Sequence, residues 1–498
     1  MADERLPIKF FAKREVDNMR VEAGGGGEPP KFVLSPEELQ IKSRVFVDTF
    51  QEFRTKVLKK ERDNSLIPFV FKTRIIDDAT AKTHRREVSN LFRTGTNNNV
   101  LGLADEDELI IKVDDSREVD KILERLKNTQ RYAHALSAID SISVFEPIID
   151  KSENAEPVDY KVKLIDFQNY EQNTSIRNYF ERSMKQMGHE VIRTNYSPSH
   201  VVYNVKGVNL DKFMTLNKNE IFEAIFSIEP MPKYAVALDM EEDEATINIS
   251  TPKEGKKYAI VGILDNGIAD IPHVKPWLVE ERYTAYPEPY VKKDHGTFVS
   301  GVVIYGDHLE GKKWVGTEGV KVLDACVYPD TDKEGIEEDE LIRNIQEAVK
   351  AHYRDVKVWN LSISIINEVD EYSFSDFAVA LDALQDQYGV LICKSAGNCK
   401  NFKMGHPKGK IHQGADSVRS IVVGSIAHKK SALDLAEVDN PSPFTRLGRG
   451  PSYIIKPEIV HYGGNAGVDA SGRMVITGVR SFGLDGAICQ SVGTSYST

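Results

Sequence analysis

The sequence has few cysteines and no long apolar run. Its four cysteines, Cys326, Cys393, Cys399 and Cys489, are too few in 498 residues for the disulfide framework of a secreted protein. No stretch approaches the roughly 18 apolar residues that a membrane span needs, and the N-terminus lacks the basic start and apolar core of a secretion signal. The sequence therefore predicts a reduced, cytoplasmic protein without a membrane partner.

The sequence also lacks an excess of positive charge and a metal-ligand motif. Its 64 Lys and Arg against 76 Asp and Glu give a formal net charge of −12, which argues against nucleic acid as a partner. No Cys or His residues have zinc-ligand spacing. The run from Asp330 to Gly335 resembles the start of a calcium loop, but Leu341 stands where the closing glutamate would be. We therefore expect no metal and no cofactor.

A chain of 498 residues is too long for one ordinary hydrophobic core, and its patterns divide it into three parts. Residues 1–36 contain four consecutive glycines that are followed, after Glu28, by two consecutive prolines, and we expect a flexible segment there. Residues 37–240 carry short strand and helix patterns, which predict an α+β N-terminal region that begins with a helix from the N-cap Ser35 to about Lys60. Acidic and basic runs at 240–256 mark the next boundary.

From Tyr258 onward, apolar β-branched runs alternate with helical patterns. The runs lack the two-residue alternation of half-exposed strands, as buried parallel strands should. This order predicts an α/β domain over residues 257–498, with a mainly parallel sheet flanked by helices. In such sheets the carboxyl ends of the strands carry the site, and both Asp265 and Asn398 closely follow an apolar run.

Three short runs in this domain provide the side chains of a nucleophilic site. Asp265 ends an apolar run, His295 lies in Asp-His-Gly-Thr-Phe-Val-Ser-Gly, and Ser495 follows Gly493-Thr494. A serine hydroxyl needs an imidazole to accept its proton, and the imidazole needs a carboxylate to fix its tautomer. The developing oxyanion needs donors, which the amide of Asn398 and the backbone N–H of Ser495 can supply. The set predicts an acyl-transfer site.

These runs, in the order Asp, His, Ser, resemble those of the subtilisin-like serine proteases, or subtilases. The resemblance covers roughly residues 257–498, with Asn266 where Thr or Ser is usual and Phe298 where a second His is common. It implies the subtilisin-like fold, a serine endopeptidase activity without a cofactor, and a protein or peptide substrate. The triad and the oxyanion donor would then be the four side chains of the preceding paragraph.

The resemblance also implies a substrate site and a continuation of the domain. Asn360-Leu361-Ser362 resembles the strand along which a substrate backbone lies, so Ser362, Ile363 and Ser364 are expected to bind substrate, with Ser364 replacing a usual glycine. The family pattern continues past its serine into a buried helix. The peptidase domain is therefore expected to be truncated after the serine run, and weak or inactive in this form.

The resemblance leaves two roles open for the N-terminal region. Many subtilases carry an N-terminal α+β propeptide that caps the cleft. Residues 190–236 have a compatible order of elements, and residues 237–257 would be the link through the cleft. The other role is that of a permanent regulatory region. The Asp run also resembles that of bacterial cytoplasmic subtilases linked with AAA-type ATPases, so such an ATPase is an expected partner.

Each assignment has a plainer alternative. Asp265 can be a turn or capping carboxylate, His295 a packed histidine, and Asn398 a left-handed turn residue. Ser491 and Ser497 compete for the role of nucleophile, although neither follows Gly-Thr. At the level of function, the alternatives are a catalytically inactive pseudoprotease or binding module and a non-proteolytic hydrolase with the same triad.

Overall fold

The structure is a computed structural model of the chain. It describes residues 31–95, 99–105, 107–150, 158–209, 220–235, 240–243, 247–313, 319–332, 335–363, 367–404 and 409–498. The predicted flexible segment 1–36 lies largely outside these ranges. The chain divides into two compact units, the first of Met1–Glu146 with Asp166–Ile176 and the second of Pro147–Ile165 with Arg177–Thr498. The domain boundaries predicted from the sequence stay predictions.

The first unit contains an antiparallel sheet and the helices that cover it. In chain order its elements are α1 (Pro36–Arg62), β1 (Phe69–Ile75), α2 (Lys82–Phe92), β2 (Val100–Asp105), β3 (Glu108–Val113), α3 (Ser116–Lys127), α4 (Ala133–Ala138) and β4 (Ile139–Val144). The strands lie in the order β2-β3-β1-β4. Phe50 of α1, Phe71 of β1 and Phe92 of α2 are fully buried together, and the Phe50 and Phe71 ring centroids lie 5.1 Å apart. These aromatic rings form the centre of the unit's core.

Helix α1 begins at the residue that its capping signals predict. The Ser35 hydroxyl accepts a hydrogen bond from the Glu38 backbone N–H, and the Glu38 carboxylate accepts one from the Ser35 backbone N–H. Pro36 stands at the first helical position, where its missing N–H leaves no bond unmade. Lys60 and Arg62 lie in the last turn, which favours positive charge. The predicted helix from Ser35 to about Lys60 is confirmed.

The second unit begins with a five-stranded sheet. Its elements are β5 (Ile148–Ile149), β6 (Val158–Leu164), α5 (Tyr170–Gln186), β7 (Val191–Asn195), β8 (Val201–Val208) and β9 (Ile225–Pro230), and α5 begins in the first unit. The strands lie in the order β5-β9-β6-β8-β7, and only the short β5 is parallel to its neighbour. Mixed strands and a helix in this part of the chain agree with the α+β composition that the sequence predicts.

The rest of the second unit is an α/β domain. Its elements are β10 (Lys233–Tyr234), β11 (Glu241–Glu242), β12 (Ile260–Asp265), β13 (Tyr283–Thr284), α6 (Asp294–Leu309), β14 (Lys321–Cys326), β15 (Ile336–Glu337), α7 (Glu338–His352), β16 (Val358–Leu361), α8 (Asp376–Tyr388), β17 (Leu391–Ser395), β18 (Ile421–Ile426), β19 (Ile459–Tyr462), β20 (Asn465–Val468), β21 (Met474–Thr477), β22 (Val479–Phe482), β23 (Ile488–Ser491) and α9 (Thr494–Ser497).

A seven-stranded parallel sheet organises this domain, in the order β13-β14-β12-β16-β17-β18-β19. The predicted α/β fold with a mainly parallel sheet is confirmed. Strand β12 is central and packs tightly on Trp359 of β16, because a Cβ at Gly262 would lie 2.2 Å from the Trp359 ring. Strand β12 ends at Asp265, and β17 ends three residues before Asn398. The sheet therefore brings both residues to the carboxyl edge, as predicted.

The five-stranded sheet packs on the first turns of α7 and α8 through buried charges. Lys161 Nζ lies 2.6 Å from a carboxylate oxygen of Glu338 and 2.6 Å from one of Asp376. The Tyr196 hydroxyl donates to Glu338, and His200 lies 2.8 Å from Asp376. Burial alone would raise the pKa of the Asp376 carboxyl, but the Lys161 and Lys163 charges and the His200 contact hold it well below its usual range. Desolvated charges of this kind are stable only when paired.

Within the residues that the structure describes, none of the helices combines the length and apolar character needed to cross a membrane.

Candidate active site

Asp265 and His295 form a buried pair. His295 is the second residue of α6, and its Nδ1 lies 2.9 Å from Asp265 Oδ1 and 2.8 Å from Asp265 Oδ2. The His295 and Asp265 side chains are 2% and 1% exposed. A carboxylate against Nδ1 leaves Nε2 as the nitrogen that can accept a proton. The pair thus has the arrangement of a general base and the group that orients it, which is more than capping or core packing requires.

Asn266 ties the Asp265 segment to the start of α6. Its amide nitrogen donates to Asp294 Oδ1 at 2.7 Å, and its amide oxygen accepts from the Gly296 backbone N–H at 3.0 Å. A Cβ on Gly296 would lie 2.3 Å from the Gly267 carbonyl oxygen, so glycine is needed for this close approach. Sequence analysis noted Asn266 only as a departure from the usual residue. Its position directly after the aspartate was the available signal for this bridging role.

The electrostatic surroundings of His295 favour its protonated form. Burial alone would lower the pKa of His295, but the charge and hydrogen bond of Asp265, together with the charge of Asp294, raise that pKa above its ordinary value. An imidazolium that forms when a serine gives up its proton is therefore stabilised in place.

Ser495 lies on the short helix α9. The residue that follows it, Tyr496, packs near His295. The Tyr496 ring centroid is 5.9 Å from that of His295 and 4.6 Å from that of Phe298. The Ser495 hydroxyl donates to the Ser362 carbonyl oxygen at 3.1 Å, and the Ser362 hydroxyl donates to the Ser495 carbonyl oxygen at 3.2 Å. Among the described contacts, none is a hydrogen bond between Ser495 and His295. The Ser495 hydroxyl is thus bonded to the backbone that follows β16, while the neighbouring Tyr496 ring packs near His295.

Asn398 is held with its amide beside the start of α9. Its side-chain oxygen accepts from the Thr494 backbone N–H at 2.9 Å and from the Thr494 hydroxyl at 3.0 Å. A Cβ on Gly493 would lie 3.2 Å from Asn398 Nδ2 and 3.7 Å from the Ser495 nitrogen, so both donors border this bare glycine. Gly397 has φ +99°, whereas Asn398 has no positive φ and so is not a left-handed turn residue. Two N–H donors that border the same small space can together bind an oxyanion.

Of the three expected substrate-binding residues, the structure describes two. Ser362 and Ile363 follow β16, whereas Ser364 lies outside the described residues. The ammonium group of Lys394, which is fully buried on β17, donates to the Ile363 carbonyl at 2.5 Å and to the Ser395 carbonyl and hydroxyl, each at 3.1 Å. Burial lowers the pKa of Lys394 to about 7. This lysine fixes the backbone at Ile363, and the sequence did not indicate it because apolar residues surround this one polar position.

His412 lies beside the Asn398 loop and accounts for a pH-dependent part of the stability. A Cβ on Gly397 would lie 2.5 Å from His412 Nδ1, and within the described chain both ring nitrogens are buried without a hydrogen-bond partner. Burial, with the charges of Arg446 and Lys394, lowers the pKa of His412 to about 3. An unfolded histidine binds a proton below about pH 6.5. The unfolded state therefore binds more protons between these values, and acid destabilises the fold.

We expect His412→Leu to reduce the acid sensitivity of folding. In the wild type, this one group makes the free energy of unfolding fall by about 1.4 kcal/mol for each pH unit below about 6.5. Leucine has no proton to bind in either state. Urea denaturation of both proteins between about pH 4 and pH 7 measures the two slopes. Equal slopes would contradict the assignment, because a constant offset between the two curves would report only the change in packing.

Within the described part of the chain, no group of three or more His, Cys, Asp or Glu side chains is placed to hold a metal ion.

A buried Asp–His pair with a serine on the adjoining turn, on a parallel sheet, defines a site of the serine-hydrolase class. Residues 256–498 match the family model described as "Subtilase family", so this part of the chain is similar to that family. The match supports a serine peptidase. No curated protein sequence matches the chain.

Two solved structures align with the chain at low similarity. The MycP3 protease from the type VII (ESX-3) secretion system has 17% identity and a TM-score of 0.28, over 48% of this chain and 68% of its own. A phospho-2-dehydro-3-deoxyheptonate aldolase from Thermotoga maritima has 8% identity and a TM-score of 0.12, over 57% of this chain and 74% of its own. TM-scores this low do not establish a shared overall fold.

Proposed function

We propose that the protein is a serine endopeptidase that hydrolyses peptide bonds through Asp265, His295 and Ser495. The observation that carries the proposal is the bond from His295 Nδ1 to the buried Asp265 carboxylate, with Ser495 on the turn beside the imidazole. The subtilase-family match of residues 256–498 supports it.

The chemistry begins when the Ser495 side chain rotates away from the Ser362 carbonyl toward His295. Its oxygen attacks the substrate carbonyl carbon while Nε2 of His295 takes the proton, and the oxyanion is bound by Asn398 and the Ser495 N–H. His295 then gives the proton to the leaving amine as the peptide C–N bond breaks. Water hydrolyses the acyl-enzyme by the same steps in reverse. Ser362 and Ile363 would hold the substrate backbone by strand pairing, which gives modest sequence preference.

A fluorophosphonate probe tests this proposal directly, because it reacts with an activated serine hydroxyl. We expect labelling of the wild-type protein at Ser495, mapped by peptide mass spectrometry, and none in Ser495→Ala. Ser497→Ala is the matched control and should label like the wild type. A folded wild-type protein that fails to label, with its fold checked by circular dichroism, would rule out the proposed activity.

We further propose that the N-terminal region regulates the peptidase. Within the second unit, Lys233 and Tyr234 of β10 pair antiparallel with β15, and Glu241 and Glu242 of β11 pair with β23, which leads into α9. The chain before the domain is thus attached to the peptidase at two strands. Mass analysis of the wild type against Ser495→Ala distinguishes a cleaved propeptide from a permanent regulator. Masses that differ only by the oxygen atom lost in the substitution would reject autocatalytic cleavage within residues 237–257.

A catalytically inactive binding module is the second candidate. The hydrogen bond from Ser495 to the Ser362 carbonyl favours it, because a nucleophile bonded to the substrate strand is not bonded to its base. The probe experiment separates the two candidates. Ester and peptide substrates tested side by side would expose a non-proteolytic hydrolase with the same triad.

We also propose a cytoplasmic location and an AAA-type ATPase partner. The four cysteines are free thiols, which suits a reducing compartment. The partner rests on the resemblance of the Asp run alone. Cell fractionation tests the location, and co-purification of an ATPase with Ser495→Ala, which would retain bound substrate, tests the partner.

A further inference from the structure

The Asp265 carboxylate has a second side-chain partner besides His295. The Tyr328 hydroxyl donates to Asp265 Oδ1 at 2.7 Å, and both residues are 0% exposed. The backbone N–H of Asn266 also donates to Oδ1, at 2.8 Å. Within the described chain, the partners of this carboxylate are thus one imidazole, one phenol and one backbone amide. The triad arrangement assigns a role to the imidazole only.

The sheet fixes where the Tyr328 ring lies. Strands β12 and β14 pair in parallel with Asp265 opposite Cys326, and the Val327 N–H donates to the Asp265 carbonyl oxygen at 2.9 Å. Tyr328 follows immediately, and its ring belongs to the apolar core cluster that includes Leu264 and Val327. A ring anchored in this way has little freedom to turn its hydroxyl elsewhere. Its one polar atom therefore meets the carboxylate with a defined direction.

The Tyr328 phenol remains a donor throughout the working pH range. Burial, together with the charge and hydrogen bond of Asp265, raises the pKa of Tyr328 well above its ordinary value. The proton therefore stays on the phenol and the negative charge stays on the carboxylate. A neutral donor on Oδ1 draws electron density from the carboxylate that faces His295, and so weakens its hold on the imidazolium.

We propose that Tyr328 is a positioning residue of the triad. Its hydroxyl holds the Asp265 carboxylate facing His295 and sets how strongly that carboxylate attracts the imidazole proton. The proposal deepens the proposed peptidase activity and rests on it for its kinetic readout. The plainer alternative is that Asp265 merely satisfies a buried phenol, in which case Tyr328 contributes to stability and leaves the basicity of His295 unchanged.

The experiment compares wild type with Tyr328→Phe in the full chain. We expect kcat to fall about 10-fold with KM nearly unchanged, because one charge-assisted hydrogen bond is lost from the triad and none from the substrate site. We expect the acid limb of kcat/KM to move up by about half a pH unit, because the freed carboxylate holds the imidazolium more strongly. A fluorotyrosine at 328 is a stronger donor and should move the limb down.

Tyr305→Phe is the matched control. Tyr305 is also a buried tyrosine, and its hydroxyl donates to the backbone carbonyls of Ser250 and His273, away from the triad. The Tyr305→Phe variant should be less stable than the wild type, and its pH profile of kcat/KM should be unchanged. Groups around the pair that also titrate or carry charge are Asp294, Lys292, Lys293, Asp324 and Cys326. None of them is altered in these variants, so a shift is assignable to the phenol.

A titration of His295 by NMR, with selectively labelled histidine, keeps the test independent of catalysis. The resonance is assigned by its loss in His295→Gln. A pKa of His295 that rises in Tyr328→Phe, falls with fluorotyrosine and stays constant in Tyr305→Phe supports the proposal even in a protein that hydrolyses nothing. The absence of any hydrolysis would reject the proposed peptidase function, but not the role of Tyr328. An unchanged His295 pKa in folded Tyr328→Phe overturns the role of Tyr328, whatever the activity. If Tyr328→Phe does not fold, the fluorotyrosine variant decides between the two outcomes.

Discussion

Replacement of His295 by alanine is expected to lower kcat for peptide hydrolysis by roughly 10⁶-fold, and Asp265→Asn by roughly 10⁴-fold. The first change removes the base that takes the proton of Ser495. The second preserves the shape of the site, but an amide against Nδ1 permits the wrong imidazole tautomer and no longer stabilises the imidazolium. The measurement is kcat and KM on a chromogenic peptide, together with the rate of fluorophosphonate labelling.

The two changes should not add, because the pair acts as a unit. A His295→Ala, Asp265→Asn double variant is expected to be no slower than His295→Ala alone. His273→Ala is the matched control, since His273 stacks on Phe482 with ring centroids 4.3 Å apart and contacts neither triad residue in the described structure. It should keep kcat within a small factor. Asp265→Asn activity within about 10-fold of wild type would mean that Asp265 is not the orienting carboxylate.

Replacement of Lys161 by methionine is expected to weaken the attachment of the five-stranded sheet to α7 and α8 by about 3–5 kcal/mol. Methionine fills similar space but leaves the Glu338 and Asp376 carboxylates, whose side chains are 1% and 10% exposed, without their buried cation. Burial alone would lower the pKa of Lys161, but the charges of Asp376, Glu338 and Glu229 raise it above its ordinary value, so the cation is present at neutral pH. If the N-terminal region regulates the peptidase, release of the five-stranded sheet should raise the rate at which the fluorophosphonate probe labels Ser495.

Lys163→Met provides the comparison for this prediction. Lys163 lies on the same strand and contacts the same Asp376 at 3.1 Å, but its side chain is 21% exposed. Water can replace much of its interaction, so we expect a loss of about 1 kcal/mol or less. Limited proteolysis of β6 to β9 and the thermal midpoint report on attachment in both variants. Equal effects of the two substitutions would argue that the buried network does not hold the sheet in place.

Much of the α/β fold, and the choice of candidate site residues, could be predicted because both depend on local patterns. Buried parallel strands need continuous apolar runs, and the chemistry needs one carboxylate, one imidazole and one hydroxyl near tight turns. These requirements predicted Asp265, His295 and Ser495 as candidate site residues without knowledge of their contacts. The same reasoning predicted Asn398 as an oxyanion donor, and in the structure its amide oxygen accepts a hydrogen bond from Thr494, 96 residues away.

What the sequence did not reveal depends on packing between distant segments. Lys394 looks like a polar interruption of an apolar strand until the Ile363 carbonyl is placed against it. Tyr328 looks like a core aromatic until the register of β12 and β14 sets its hydroxyl beside Asp265. The attachment of the five-stranded sheet similarly depends on Lys161, which is isolated in sequence from both of its carboxylates. Such roles arise only when the fold supplies a partner, and no local pattern records them.

The pairing of β11 with β23 has a consequence for how fast the segment that carries Ser495 can form. The Gln490 side chain donates to Glu241 across 249 residues of chain, and β23 leads directly into the turn that carries Ser495. Contacts of such long sequence separation incur a large loop-closure entropy and form late. The serine should therefore be among the last parts of the protein to become protected from hydrogen exchange during refolding. A nascent chain would thus keep the Ser495 turn unformed until β23 has been synthesised and has paired with β11.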